Sequence, residues 1–240
     1  MERTSLNVNI LGITLARGGS KGIKNKNIIK ILDKPLIAYT IIEAQKSKLI
    51  NDYIVSTDSP KIAKVAQSFN ADVPFLRPKK YSSSKSSSVS ALIHSLKYME
   101  KKNNIKYDYV IELMCTNPLK TVYDIDEIIK KIIKYNSDTV IAVHQIEDHH
   151  PARIKKIING KIVDFVVKEK KESRRQDLRP KAYVRSGSIY AIKRDFLINK
   201  KRRYGLNNSR AYVLPDSRAI NIDTKADLIV AEYLMKNKYA

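Results

Sequence analysis

A chain of 240 residues with a formal charge of +22 and one cysteine excludes several classes at once. A lone cysteine forms no intramolecular disulfide, no Cys/His group has zinc spacing, and no apolar run approaches a membrane span. The cations are lysines spread through nearly every segment without interleaved aromatic platforms, which disfavours a nucleic-acid binder; the surplus reads as a solvated surface that also attracts anionic substrates. The length predicts a single α/β domain over residues 1–240, and the cysteine usage predicts a reducing, cytoplasmic setting. The early apolar run Ile10–Leu15 is too short for a signal h-region.

Along the chain, strand and helix patterns alternate. Ile10–Leu15 reads as a buried strand. Pro35 opens a helix to about Lys48, with Leu36, Ile37, Ile41 and Ala44 on one face. A short strand at Tyr53–Ser56 follows, then a helix capped by Ser59 with Pro60 in its first turn, running through Phe69. Val73–Leu76 reads as a strand, Ser82–Ser88 as a Ser-rich loop, and Val89, Leu92, Ile93, Leu96 and Met99 recur at helical spacing. Strands at Tyr109–Met114 and Thr139–Val143 flank a helix at Ile125–Lys134. Such alternation predicts βαβ units, a doubly wound and mostly parallel sheet, and ligands beyond the carboxyl ends of the strands. From about 145 to 190 the rhythm breaks: Ile154–Ile158, an Asn159-Gly160 turn and Lys161–Val166 predict a hairpin, inserted as an arm. Thr224–Asp227 begins the last helix in the manner of a capping box.

Three of the 7 glycines fall between positions 18 and 22, directly after the first strand. Glycines let a backbone approach a ligand and leave amide N–H groups free to face an anion. Arg17, Lys21, Lys24 and Lys26 surround them with positive charge, which outlines a phosphate cradle; a lysine-rich surface turn is the plain alternative. The spacing fits neither a P-loop nor a dinucleotide fingerprint. Near the other end, Asn221 and Asp223 share one face of a short strand. Oxygen ligands of that kind suit Mg²⁺ at phosphates, although Asp223 also reads as a cap of the helix that follows.

The segment Leu15-Ala16-Arg17-Gly18-Gly19-Ser20-Lys21-Gly22, with Lys26 and Asn27 beyond it, resembles the nucleotide-binding signature of the acylneuraminate cytidylyltransferases, the CMP-sialic acid synthetases. Val55-Ser56-Thr57-Asp58, Leu76-Arg77-Pro78, His149-His150-Pro151, Arg174-Arg175-Gln176-Asp177, Ser186-Gly187-Ser188-Ile189-Tyr190 and Ile222-Asp223-Thr224 follow in that family's order. The resemblance implies a CTP-dependent enzyme that joins CMP to a nonulosonic, sialic-acid-like sugar acid and releases pyrophosphate. Transfer to another sugar acid or to a sugar phosphate is the alternative within nucleotidyltransferases.

It also implies roles. Arg17, Lys26 and the amides of Gly18, Gly19 and Ser20 fall to the triphosphate. Asn27, Arg77 and Ser88 fall to cytosine and ribose, with Ser88 also readable as a helix N-cap and Arg77 as a solvated strand end. Arg153, Arg175 and Gln176 fall to the sugar acid, and Asp223 with Asn221 to Mg²⁺. A homodimer through the inserted arm is implied as well. The departures from the family pattern include Asn221 for an Asp, Met114 for a Gln, Ser186 for an Asn, Ser84 for an Asp and Arg153 for a Lys; Met114-Cys115-Thr116-Asn117-Pro118-Leu119-Lys120 stands against the family's Q-P-T-S-P-L-R. Met114 and Ser186 lie on the substrate side, so the sugar acid is expected to differ from ordinary sialic acid. His149 and His150 read as loop packing or substrate contacts rather than metal ligands.

Overall fold

In a computed structural model of the chain, residues 8–19, 22–83, 86–168, 174–205 and 207–237 are described. Strand β1 (Ile10–Leu15) leads into the Gly-rich loop. Short strands β2 (Lys30–Ile31) and β3 (Lys34–Pro35) pair with each other before helix α1 (Leu36–Lys46). Then come β4 (Asp52–Ser56), α2 (Pro60–Gln67), α3 (Ser88–Asn103), β5 (Tyr109–Leu113), α4 (Val122–Lys134) and β6 (Thr139–Ile146). The hairpin β7 (Lys155–Ile158) and β8 (Lys161–Asp164) precedes the long β9 (Ala182–Lys193). Helix α5 (Arg194–Lys200), β10 (Ser209–Val213) and α6 (Lys225–Lys236) end the described chain.

The central sheet has six strands in the order β10-β6-β9-β5-β1-β4. β1 pairs in parallel with β4 and β5, and β10 with β6. Only β9 runs antiparallel, wedged between β5 and β6. The mostly parallel expectation therefore holds, with one reversed strand that sequence periodicity had not marked. β5 shows how the sheet is covered. Tyr109, Ile111 and Leu113 pack with Ile125, Ile128, Ile129 and Ile132 of α4 on one face. Val110, one residue out of phase, packs with Leu92, Leu96 and Met99 of α3 on the other. Burial on both faces explains why these strands read as continuous apolar runs.

Several local readings shift. Ser59 caps α2 by accepting from the Ile62 N–H, as expected. α3 is capped by Ser87, which accepts from the Ser90 N–H, so Ser88 is the first helical residue rather than the cap. Pro35 is the N-cap of α1 and belongs to β3. Val73–Leu76 forms no strand; Leu76 contributes only a single bridge to Thr57, with another between Asp72 and Ile54. The Thr224 capping box forms with Asp227.

The irregular region is a two-stranded extension. β6 continues to Ile146 and pairs with Ala182–Arg185 of β9, carrying β7 and β8 at its end. Asn159 and Gly160 turn the hairpin at positive φ. Ile157, Ile162 and Val166 are 76, 74 and 78% exposed, an apolar surface on an element too small to bury it alone.

One buried carboxylate ties the C-terminal part to the sheet. Asp124 in α4 is fully buried and accepts from both terminal nitrogens of Arg218, at 2.9 and 3.0 Å, and from the Tyr212 hydroxyl at 2.9 Å. Asp124→Ala would leave the Arg218 guanidinium without its partner. The expected loss is about 3–5 kcal/mol in urea unfolding; a loss below about 1 kcal/mol contradicts this role.

Candidate active site

The carboxyl ends of β1, β4 and β5 converge on one side of the sheet, where crossover loops leave room for a ligand. A cavity of about 310 Å³ opens there, with Arg17, Gly22, Lys26 and Asn27 from the first loop. Ser88 of α3, Glu112, Met114, Cys115 and Thr116 from the end of β5, and Asp223 complete its wall. A neighbouring hollow of about 360 Å³ shares Leu15, Arg17 and Ser88 and adds Arg77 and Ser82, Ser83, Ser86 and Ser87. Arg17 and Ser88 thus stand where the two spaces adjoin.

The walls are held by long-range contacts. Lys26 Nζ donates to Asp223 Oδ1 at 2.7 Å and to the Ile222 carbonyl at 2.9 Å. Asn221 Nδ2 donates to Asp223 Oδ2 at 2.6 Å, so both carboxylate oxygens have a donor. The Asn221 Oδ1 is buried without a hydrogen-bond partner among the described residues. It lies against Gly187, where φ is +64° and a Cβ would stand 3.2 Å from that oxygen. A side chain at Gly187 would be strained by the backbone conformation and crowded by Asn221.

Asn27 is buried, donating to the Arg17 carbonyl at 3.0 Å and accepting from Cys115 Sγ at 3.0 Å. Burial pushes the Cys115 thiol up to about 11, so it stays a protonated donor. Lys120, fully buried, donates to Thr40 Oγ1 at 2.7 Å, to the Met114 carbonyl at 2.8 Å and to the Asn117 carbonyl. Burial pushes its ammonium down to about 7. It pins the loop that presents Met114, Cys115 and Thr116. In the sequence Lys120 stands where the resembled family has an Arg, but its role is visible only once the loop is folded around it.

Arg77 is 5% exposed, so the solvated alternative fails. Its Nε donates to Ser82 Oγ at 3.1 Å, and Asp58 lies 4.0 Å from its guanidinium. Asp58 also accepts from the Gly18 N–H at 3.0 Å, which commits that amide. Gly19 is exposed. Ser20, Lys21 and Ser84 lie outside the described residues.

Arg153, Arg175 and Gln176 are not brought to this cavity. All three are exposed. Arg153 lies 3.7 Å and Arg175 3.3 Å from Asp148, at the base of the hairpin arm. His150 packs in the loop: its Nδ1 accepts from the Ala152 N–H, and its Nε2 is 2.9 Å from the Pro180 carbonyl. Both ring nitrogens are engaged, as the loop-packing reading expected.

The chain belongs to the cytidylyltransferase family, whose sequence model matches residues 11–238. It is 34% identical over 229 residues to a CMP-N,N'-diacetyllegionaminic acid synthase of Campylobacter jejuni, covering 95% of this chain and 96% of that one. It is 36% identical over 181 residues to a pseudaminic acid cytidylyltransferase of Campylobacter jejuni, covering 75% and 76%. Its fold matches that of a CMP:2-keto-3-deoxy-manno-octonic acid synthetase solved with CTP, at a TM-score of 0.70 and 18% identity, over 96% of this chain and 99% of that one. The chain is accordingly a nucleotidyltransferase by family and by fold.

Gly22 gives a direct test of the geometry. A Cβ there would stand 2.7 Å from the Asp223 carbonyl oxygen, a backbone atom that has to move to admit it. Gly22→Ala should lower kcat/KM roughly 10²-fold, the scale of a small misplacement at a reacting centre. Steady-state kinetics checks this; activity within about twofold of wild type would mean that the packing of the loop on Asp223 does not matter.

Proposed function

We propose that this chain joins CTP to a sialic-acid-like nonulosonic acid, forming the CMP-sugar and releasing pyrophosphate. The observation that carries the reading is the convergence of Arg17, Lys26, Asn27, Ser88 and Asp223 on one cavity from widely separated parts of the chain. In this reaction the anomeric hydroxyl oxygen bonds to the α-phosphorus, and the bond from that phosphorus to pyrophosphate breaks. Negative charge grows on the phosphate oxygens and the leaving group. Arg17 and Lys26 stand where preorganised cations would stabilise it. Arg77 with the serines of the adjoining hollow supplies donors and acceptors for the polar edge of cytosine.

Mg²⁺ fits the donor set. Asp223 offers a carboxylate on the cavity wall, whereas Asn221 turns its Nδ2 to that carboxylate and buries its Oδ1 against Gly187, so a contribution from the amide oxygen would need the side chain to turn over. One or two such protein oxygens plus phosphate oxygens are a usual Mg²⁺ environment. When bound, the ion would neutralise triphosphate charge. Lys26 now shares the Asp223 carboxylate, so it is placed to hold that side chain in position before the ion and nucleotide arrive. Met114 on the cavity wall favours a sugar acid other than ordinary sialic acid, as do relatives whose names specify legionaminic and pseudaminic acids; Ser186 is buried, its hydroxyl donating to the Ala142 carbonyl, and does not line this cavity. A requirement for CTP would support a cytoplasmic setting.

Pyrophosphate release from CTP, Mg²⁺ and a panel of nonulosonic acids tests the activity. Arg17→Ala and Asp223→Asn should each lower kcat/KM roughly 10²-fold or more, as expected for losing a preorganised charge partner. Near-wild-type turnover in either variant at limiting Mg²⁺ contradicts the assignment of that residue.

The exposed apolar hairpin supports a homodimer joined through the arm at about 145–190. A two-fold pairing would also give Arg153, Arg175 and Gln176 a cavity to serve, that of the partner. Sedimentation equilibrium at micromolar concentration should report about twice the 27.4 kDa chain mass. Replacing Ile157 and Ile162 together by Lys should give monomers with impaired turnover. A fully active wild-type monomer refutes both the dimer and the shared site.

A further inference from the structure

Glu112 is an anomaly within β5. Every residue of Tyr109–Leu113 is buried, and the other four are apolar. A carboxylate in that position is costly unless it is paired. Glu112 lies on the α3 side of the sheet, and Arg203, from the connection between α5 and β10, donates from Nη1 to its Oε2 at 2.8 Å. The Arg203 guanidinium lies over the Tyr190 ring at 4.6 Å, and Tyr190 is the register partner of Glu112 across β5 and β9. Tyr204 adds a second ring 6.3 Å from Tyr190, covered in turn by Arg185 at 4.2 Å.

The pair is built into the wall of the site. Glu112 lines the cavity that holds Arg17, Lys26 and Asp223, and Arg203 lines the hollow beside Ser88 and Tyr204. A negative charge in a cavity shaped for anionic substrates works against their binding unless it reads something on them. Asp223 has a donor on each oxygen, whereas Glu112 accepts only at Oε2 from the described residues. Next to it stands Met114, half-buried on the cavity wall and packed against the cluster containing Tyr190. A carboxylate acceptor beside an apolar thioether matches a secondary amide: N–H on the oxygen, acyl methyl on the sulfur side.

We propose that the Glu112–Arg203 pair determines which sugar acid is used, Glu112 Oε1 accepting a hydrogen bond from the N–H of an acylamino substituent while Arg203 fixes the carboxylate in place. The inference rests on the proposed reaction and names the feature of the substrate that this chain reads. Glu112 is here a specificity residue and Arg203 a positioning residue.

The test compares two sugar acids, N,N'-diacetyllegionaminic acid and a ketodeoxynonulosonic acid with hydroxyls in place of the acylamino groups. The double variant Glu112→Met with Arg203→Met removes both charges together and leaves the net charge of the site unchanged. CTP affinity, measured by calorimetry, should stay within about threefold of wild type and reports an intact fold. The ratio of kcat/KM for the diacetylated acid to that for the hydroxylated one should fall roughly 10- to 100-fold, through KM, as for a lost charge-assisted hydrogen bond. If the double variant does not bind CTP, the near-isosteric Glu112→Gln carries the test, with an expected fall of roughly 10-fold. A ratio unchanged within about threefold, or a wild-type preference for the hydroxylated acid, overturns the inference. Wild-type enzyme that releases pyrophosphate from neither acid overturns instead the reaction on which it rests.

Discussion

The Lys26–Asp223 ion pair joins residues 197 positions apart and closes the site. Without it the Gly-rich loop would be one wall facing open solvent. Lys26 also takes the Ile222 carbonyl, and Gly22 packs on the Asp223 carbonyl, so the contact is made by backbone as well as by charge. Exposed ion pairs contribute little to stability. The Asp223 side chain is largely exposed, and the importance of this pair is therefore positional: it sets the distance between the Gly-rich loop and a carboxylate that faces it.

Much of the remaining structure holds that distance steady. Asp124 anchors Arg218, three residues before Asn221. Asn117 Nδ2 donates to the Arg218 and Ile220 carbonyls, and the Ile222 N–H donates to the Thr116 carbonyl. Lys120 pins the same loop from beneath. The β5 exit loop is thereby braced from both sides. Such bracing is what a transferase needs, because a small displacement of a charged group from the reacting phosphorus is expensive in rate.

Much of the fold was legible in the sequence for physical reasons. Parallel strands buried on both faces are continuous apolar runs, and Ser59-Pro60 and Thr224–Asp227 carry their capping chemistry in the chain. β9 was only partly legible. Ser186–Tyr190 stands out in the sequence only through its resemblance to a family motif, and the largely exposed residues Ala182–Arg185 pair with the far end of β6, where no apolar run marks a strand. α3 begins in a run of serines, any of which has the chemistry of a cap, and only the backbone singles out Ser87. In the site, the Gly-rich loop and Asp223 announced themselves by residue type. Glu112 did not, since one acidic residue in an apolar strand has no period to break; Arg203, far along the chain, explains it.

The central claim is that CTP lies across this cavity, with its triphosphate on the Gly-rich loop and its base toward Arg77. A crystal structure of the chain grown with CTP measures this most directly. The account predicts density for the phosphates beside Arg17 and Lys26, and for cytosine in the hollow lined by Arg77, Ser82, Ser83, Ser86, Ser87 and Ser88. Nucleotide bound elsewhere, or in this cavity with its base directed away from Arg77, would contradict it.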